Sequence, residues 1–251
     1  MTPAILSTRN LGLDIGGATI VADVSLEVLE GEFLGIIGPN GAGKTSLFNL
    51  LSGLLRPTSG SVELGGREIT HDPPFRRTQA GLGRTFQVSS VFPRLTALEN
   101  VRLAAEAKLG GALRIWRRAA SLRAAVERAR WALDRVGLGA LERTPAGSLP
   151  HGNKRKLELA MLLAADPRVI LLDEPMAGVS VADVPELTAV IKSVQQEEGR
   201  TILMVEHHIE VVTGLAERIA VMHHGALLAC DTPERVMANE QVQAAYLGEP
   251  L

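Results

Sequence analysis

Residues 38–45 read Gly38-Pro39-Asn40-Gly41-Ala42-Gly43-Lys44-Thr45, which fits the pattern G-x-x-x-x-G-K-[ST]. An apolar run, Phe33-Leu34-Gly35-Ile36-Ile37, precedes the loop, and Ser46-Leu47-Phe48-Asn49-Leu50-Leu51 follows it. Strand, glycine-rich loop and helix in that order let the backbone curl so that its N–H groups and the helix N-terminus face a polyphosphate. The candidate phosphate-binding residues are therefore Gly38, Pro39, Asn40, Gly41, Ala42, Gly43, Lys44, Thr45 and Ser46. Lys44 is suited to the β- and γ-phosphates, and the Thr45 hydroxyl to ligating Mg²⁺. A chance match in a chain of this length has odds on the order of one in a hundred, so coincidence is a weak rival. A second hydrophobic run ends Leu171-Leu172-Asp173-Glu174-Pro175, a pattern that predicts a buried strand with two carboxylates at its end.

With 46% hydrophobic residues, the chain can bury a substantial core. Its formal net charge of −2 argues against a general nucleic-acid binder. Cys230 is the single cysteine, which excludes an internal disulfide and points to a reducing compartment. No run of 18 apolar residues could span a bilayer, and the N-terminus lacks a signal-peptide pattern. The expectation is a soluble cytoplasmic protein whose membrane role, if any, comes through partners.

Short β-like stretches open the chain, among them Ile20 to Val28 and Ser61 to Leu64, separated by turn-rich segments. Between about residues 95 and 165 the pattern becomes helical. Ala97 to Lys108, Ala119 to Val136 and Lys154 to Ala165 carry apolar residues three and four apart. After Pro167 the β pattern returns at Arg168 to Asp173, Thr201 to Glu206 and Arg218 to Met222. An α/β core is thus interrupted by a helical insertion.

Further motifs follow in a fixed order. They are Gln87 after Gly83-Arg84-Thr85-Phe86, Leu149-Pro150-His151-Gly152-Asn153 opening a helix, Asp173-Glu174, and Val205-Glu206-His207. Together they resemble the nucleotide-binding subunit of ABC (ATP-binding cassette) transporters over essentially the whole chain. Residues 81–87, residues 95–101 and the end Ala245-Tyr246-Leu247-Gly248-Glu249 are similar to ATPases of branched-chain amino acid importers, a wording shared with urea and amide uptake systems. The resemblance implies an α/β fold: a P-loop NTPase (RecA-like) core with an N-terminal antiparallel β subdomain and an inserted α-helical subdomain. Residues 1–251 would form one ATPase domain, with 1–87 and 167–251 as catalytic core and 88–166 as helical signature subdomain.

Carried over residue by residue, the resemblance makes Asp173 a holder of Mg²⁺ opposite Thr45, and Glu174 the group that polarises the attacking water. Gln87 would sense metal and water, and His207 would contact the γ-phosphate. ATP would lie between two such subunits arranged head to tail, with Leu149 and Gly152 of one facing the nucleotide of the other. The implied partners are a second ATP-binding subunit (identical or related), integral membrane permeases and, indirectly, a substrate-binding protein. This subunit would be cytoplasmic, peripheral on the cytoplasmic face of the cell membrane.

The chain departs from the family pattern in its signature and at two further positions. The usual signature is L-S-G-G-Q, whereas Pro150, His151 and Asn153 stand here, leaving Leu149 and Gly152. Losing the serine hydroxyl implies slower turnover at the site this signature completes, unless the branch tolerates the change. Ser180 occupies the place of a usual aspartate, which puts cross-talk between the two ATP sites in doubt. Ile15 aligns with the aromatic that stacks on adenine, so base discrimination should be weak and GTP a better competitor than usual.

Other candidates have plainer readings. His207-His208 and His223-His224 are adjacent pairs, and neighbours on a strand point to opposite faces, so a shared metal site is awkward. His223 and His224 read as a surface turn before Gly225. The arginines from Arg114 to Arg130, with Trp116 and Trp131, read as a solvated helical face, and Cys230 as a small buried hydrophobe. A GTPase would want N-K-x-D, but Asn153-Lys154 continues Arg155-Lys156. A small-molecule kinase leaves Asp173-Glu174 with His207 unexplained. Non-transport ABC ATPases carry long insertions or paired cassettes for which this length leaves no room.

Overall fold

A hairpin of β1 (Ala4–Ile15) and β2 (Ala18–Leu29) opens the computed structural model, which describes residues 3–85, 91–109 and 118–247. Its turn, Gly16-Gly17, has φ of 59° and 85°, a conformation glycine adopts without steric cost and one that matches strand twist. Register shifts interrupt the pairing, and at Thr8 the side chain compensates: its hydroxyl donates to Val24 O and accepts from Leu26 N–H. β4 (Ser59–Leu64) and β5 (Arg67–Glu68) complete an antiparallel sheet in the order β2-β1-β4-β5.

The second sheet contains β3 (Phe33–Ile37), β6 (Leu82–Arg84), β7 (Val169–Asp173), β8 (Thr201–Val205), β9 (Arg218–His223) and β10 (Ala226–Asp231). Their order is β10-β9-β3-β8-β7-β6, parallel from β9 to β6, with β10 antiparallel at the edge. Every residue of β3, β7 and β8 is buried, as strands covered on both faces require.

Period-two alternation decides which core each residue joins. Leu34, Ile36, Val169, Leu171, Leu203 and Val205 pack toward β1, β2, β4 and α1 (Lys44–Ser52). Phe33, Ile37, Ile170, Leu172, Ile202 and Met204 face the opposite core. That second core receives α3 (Ala97–Leu109), α4 (Arg118–Arg135), α5 (His151–Ala164) and α6 (Val184–Glu198). α3, α4 and α5 pack on one another, as the helical stretch of the sequence predicts. Asp173 continues the series of Val169 and Leu171, so its side chain falls on the α1 side of the sheet. A short helix, α2 (Pro74–Gln79), lies between β5 and β6, and α7 (Ile209–Leu215), α8 (Pro233–Met237) and α9 (Glu240–Leu247) complete the C-terminal part.

Candidate active site

The parallel strands all end on one edge of the sheet, where open α/β sheets bind ligands. β3 runs into the glycine loop, β7 into Asp173-Glu174, β8 into Glu206-His207, and β6 into Thr85. Gln87 lies outside the described residues.

Close packing fixes the loop's path. At Gly38 (φ 152°) a Cβ would sit 2.2 Å from the carbonyl oxygen of Met222, so no side chain is admitted. Gly43 (φ 93°) precedes α1, and a Cβ there would approach the Ile20 carbonyl oxygen to 2.8 Å. The loop is thus held between the end of β9 and the strand β2. No side chain caps α1, so its first N–H groups remain open to an anion. Lys44 is buried, and its ammonium donates to Gly38 O at 2.6 Å and Pro39 O at 3.0 Å. Burial holds its pKa below the ordinary 10.5, against the opposing pull of the Glu174 carboxylate.

Asp173 is almost wholly enclosed. Its Oδ2 accepts from Arg84 Nη2 at 2.7 Å, and its backbone N–H donates to Thr85 Oγ1 at 3.1 Å. Its Oδ1 is buried and makes no hydrogen bond. An orphaned carboxylate oxygen beside the loop, together with the Thr45 hydroxyl, is the hard oxygen donor set that suits Mg²⁺.

Glu174 has φ of 47°, in the left-handed region. That conformation costs on the order of 1 kcal/mol for a residue with a Cβ and is secured by its N–H donating to Val205 O at 2.9 Å. The turn brings Glu174 Oε1 to 3.0 Å from His207 Nε2. Behind them, the buried Glu206 accepts from Met176 N–H at 2.8 Å through Oε1 and from His207 N–H at 2.9 Å through Oε2. This carboxylate ties the end of β8 to the loop after β7, and so fixes where His207 stands relative to Glu174.

Two of these residues, Arg84 and Glu206, are absent from the candidate set read from sequence. Their signals in the sequence are a charged residue ending a short strand and a carboxylate immediately after a strand buried throughout. Ile15 is exposed at the tip of the first hairpin, paired with Ala18, on the same hairpin whose Ile20 carbonyl abuts Gly43. Leu149 and Gly152 are buried at the start of α5, whose N-cap position Pro150 supplies no side-chain cap. A Cβ at Gly152 would lie 3.2 Å from Asp183 Oδ2. Ser180 donates to that same carboxylate oxygen of Asp183 at 2.7 Å.

The paired histidines diverge: His207 meets Glu174, whereas His208 Nδ1 lies 3.2 Å from Glu206 Oε2. His224 and Gly225 form the tight turn between β9 and β10, with φ of 47° and 83°. Among the described residues no group of three or more His, Cys, Asp or Glu could hold a metal ion. Cys230 is half-buried rather than fully enclosed, and its Sγ accepts from Arg218 Nη2 at 3.0 Å. Burial nonetheless pushes the thiol pKa up, which leaves it a poor nucleophile. Of the arginine-rich stretch, Arg114 and Trp116 lie outside the described residues. Arg128 stacks on Trp131 at 3.9 Å and bonds Leu163 O, while Arg130 pairs with Glu142. No helix among the described residues is long and apolar enough to cross a membrane.

Comparison with known proteins matches the ABC transporter family over residues 21–177. A second family, branched-chain amino acid ATP-binding cassette transporter, matches residues 226–250. The chain is 37% identical over 256 residues to the high-affinity branched-chain amino acid transport ATP-binding protein LivG of Salmonella typhimurium, covering 99% of this chain and 100% of that protein. Its structure resembles the ADP conformation of MJ1267, an ATP-binding cassette of an ABC transporter, with a TM-score of 0.85 and 28% identity over 99% of this chain and 100% of the other. It also resembles the dimeric post-hydrolysis state of the cassette MJ0796 bound to ADP and phosphate, with a TM-score of 0.75 and 26% identity over 91% and 98%.

Proposed function

This chain belongs to the ABC transporter family as an ATP-binding cassette ATPase, and we propose that it is the ATP-hydrolysing subunit of an importer of branched-chain amino acids. The observation that carries the hydrolytic part is the Glu174 carboxylate held 3.0 Å from His207 at the strand ends beside the phosphate loop. The C-terminal match at residues 226–250 and the full-length similarity to LivG favour branched-chain amino acids over urea or amides.

In this reading residues 38–46 grip the phosphates of ATP, Lys44 leaving its carbonyl partners to meet them. Thr45, Asp173 and Gln87 would hold Mg²⁺, which would supply charge neutralisation to the polyphosphate. Glu174 takes the proton of the attacking water, and His207 steadies both the carboxylate and the γ-phosphate. Ile15 lies against the base. Leu149 and Gly152, at the uncapped N-terminus of α5, face the nucleotide of a second ATP-binding subunit, identical or related. Residues 1–87 and 167–251 act as the catalytic core and 88–166 as the signature subdomain. Binding closes the pair and hydrolysis reopens it. From the cytoplasmic face of the membrane the pair drives integral membrane permeases, which turn that motion into uptake from a substrate-binding protein.

The test is to tag the subunit in its host, solubilise membranes gently and identify what co-purifies, then measure uptake of labelled leucine and urea in a strain lacking it. Two permeases with a second ATPase, and a selective loss of leucine uptake, are expected. Recovery with ribosomes or DNA, or a selective loss of urea uptake, would contradict the proposal.

A further inference from the structure

We infer that Arg84 is a positioning residue for the divalent cation, an inference that rests on the ATPase reading above. Its guanidinium has 8% of its side-chain surface exposed and holds three elements together. Nη2 donates to Asp173 Oδ2 at 2.7 Å at the end of β7. Nη1 donates to Asn49 Oδ1 at 2.8 Å and Ser52 Oγ at 2.7 Å, both on α1. Its carbon centre also lies 5.7 Å from the ring centroid of Phe48 on the same helix. α1 is the helix that begins with Lys44 and Thr45, so one side chain sets the spacing between Thr45 and Asp173, two of the three proposed oxygen donors to Mg²⁺.

The contact with Asp173 is single-pointed. Arg84 Nε is buried and unpaired, and so is Asp173 Oδ1. A two-pronged fork would have used both carboxylate oxygens. Here Arg84 takes one oxygen, fixes the rotation of the carboxylate, and leaves the other for the cation or its water. Second-shell partners of metal ligands act in this way, and their loss typically weakens metal affinity about 10- to 100-fold.

Binding of the nonhydrolysable analogue AMP-PNP, followed by calorimetry in EDTA and across a MgCl₂ series, separates this role from a structural one. The native protein is expected to bind more tightly with Mg²⁺. Arg84→Met should keep its EDTA affinity within about twofold and raise the half-saturating Mg²⁺ about 10- to 100-fold. Arg84→Lys, with one ammonium in place of a fork, should fall between the two. It decides the matter should the methionine variant fail to fold. A native Mg²⁺ response in a folded Arg84 variant, or equal losses with and without Mg²⁺, would overturn the role of Arg84 alone. A native protein indifferent to Mg²⁺ would overturn the metal site itself.

Discussion

Arg77 carries the largest stability prediction. It is one of the largest fully buried side chains, on a short helix that periodicity does not reveal. Its Nη1 donates to Leu50 O at 2.6 Å and Leu51 O at 2.7 Å, which are carbonyls of the last turn of α1. Nη2 donates to Thr70 O at 2.8 Å and Nε to Asp72 O at 2.9 Å. Gly53 makes room for it, since a Cβ there would sit 2.7 Å from Nε. Four charge-assisted bonds would nominally contribute about 1.5–3 kcal/mol each, but enclosing the guanidinium costs much of that, and burial lowers its pKa. The net loss in Arg77→Met should be about 3–5 kcal/mol, the range for removing one partner from a buried charged network. At roughly 2–4 °C per kcal/mol for a chain near this size, the melting temperature should fall by about 6–20 °C. Thermal unfolding followed by circular dichroism reads this directly, and Arg77→Lys should lose roughly half as much. A drop of less than about 2 °C in Arg77→Met would refute the view that this cation caps the phosphate-loop helix.

Three further outcomes are expected. Because burial depresses the Lys44 pKa, the unliganded protein should lose that charge at a pH below 10.5, and ATP affinity should decline as pH rises through that lower value. Lys44→Arg should flatten the alkaline limb of the affinity profile, and a native profile flat up to pH 10.5 would count against the assignment. Joint replacement Pro150→Ser and His151→Gly restores a hydroxyl donor at the start of α5. Turnover of the assembled transporter should rise by about tenfold, below the 10²–10³ attached to a buried oxyanion donor; no change would show that the altered signature is tolerated. With exposed, aliphatic Ile15 proposed as the contact to the base, GTP should compete with ATP to within about tenfold. Ile15→Tyr should tighten ATP by roughly 1–3 kcal/mol of stacking, and a strong ATP preference in the native protein would contradict both expectations.

What the sequence made legible was the chemistry carried by local pattern. The glycine loop, the apolar strand ending at Asp173, and the helical stretch from Ala97 to Ala164 all follow from residues close together in the chain. The first strand was harder, because Ser7, Thr8, Arg9 and Asn10 break its alternation, and only the pairing with both β2 and β4 makes it central. Arg84 and Asp173 are 89 residues apart, and no local signal joins a charged residue at the end of an edge strand to a carboxylate so distant. The same holds for Glu206, whose role depends on the backbone of Met176, and for Arg77, whose two acceptors on α1 lie 26 and 27 residues upstream. Cys230 reads as a small hydrophobe until Arg218 from the neighbouring strand meets its sulfur. Long-range polar pairing, rather than burial, is what the pattern of residues fails to convey.

Hydrolysis by Glu174→Gln tests the central claim most directly. Glutamine keeps the shape and the hydrogen-bonding reach to His207 but removes the base. Steady-state ATP turnover should fall about 10²–10⁴-fold, while AMP-PNP affinity and ATP-driven pairing of subunits persist. Native turnover in that variant would contradict the account, because the carboxylate 3.0 Å from His207 would then have no part in activating water.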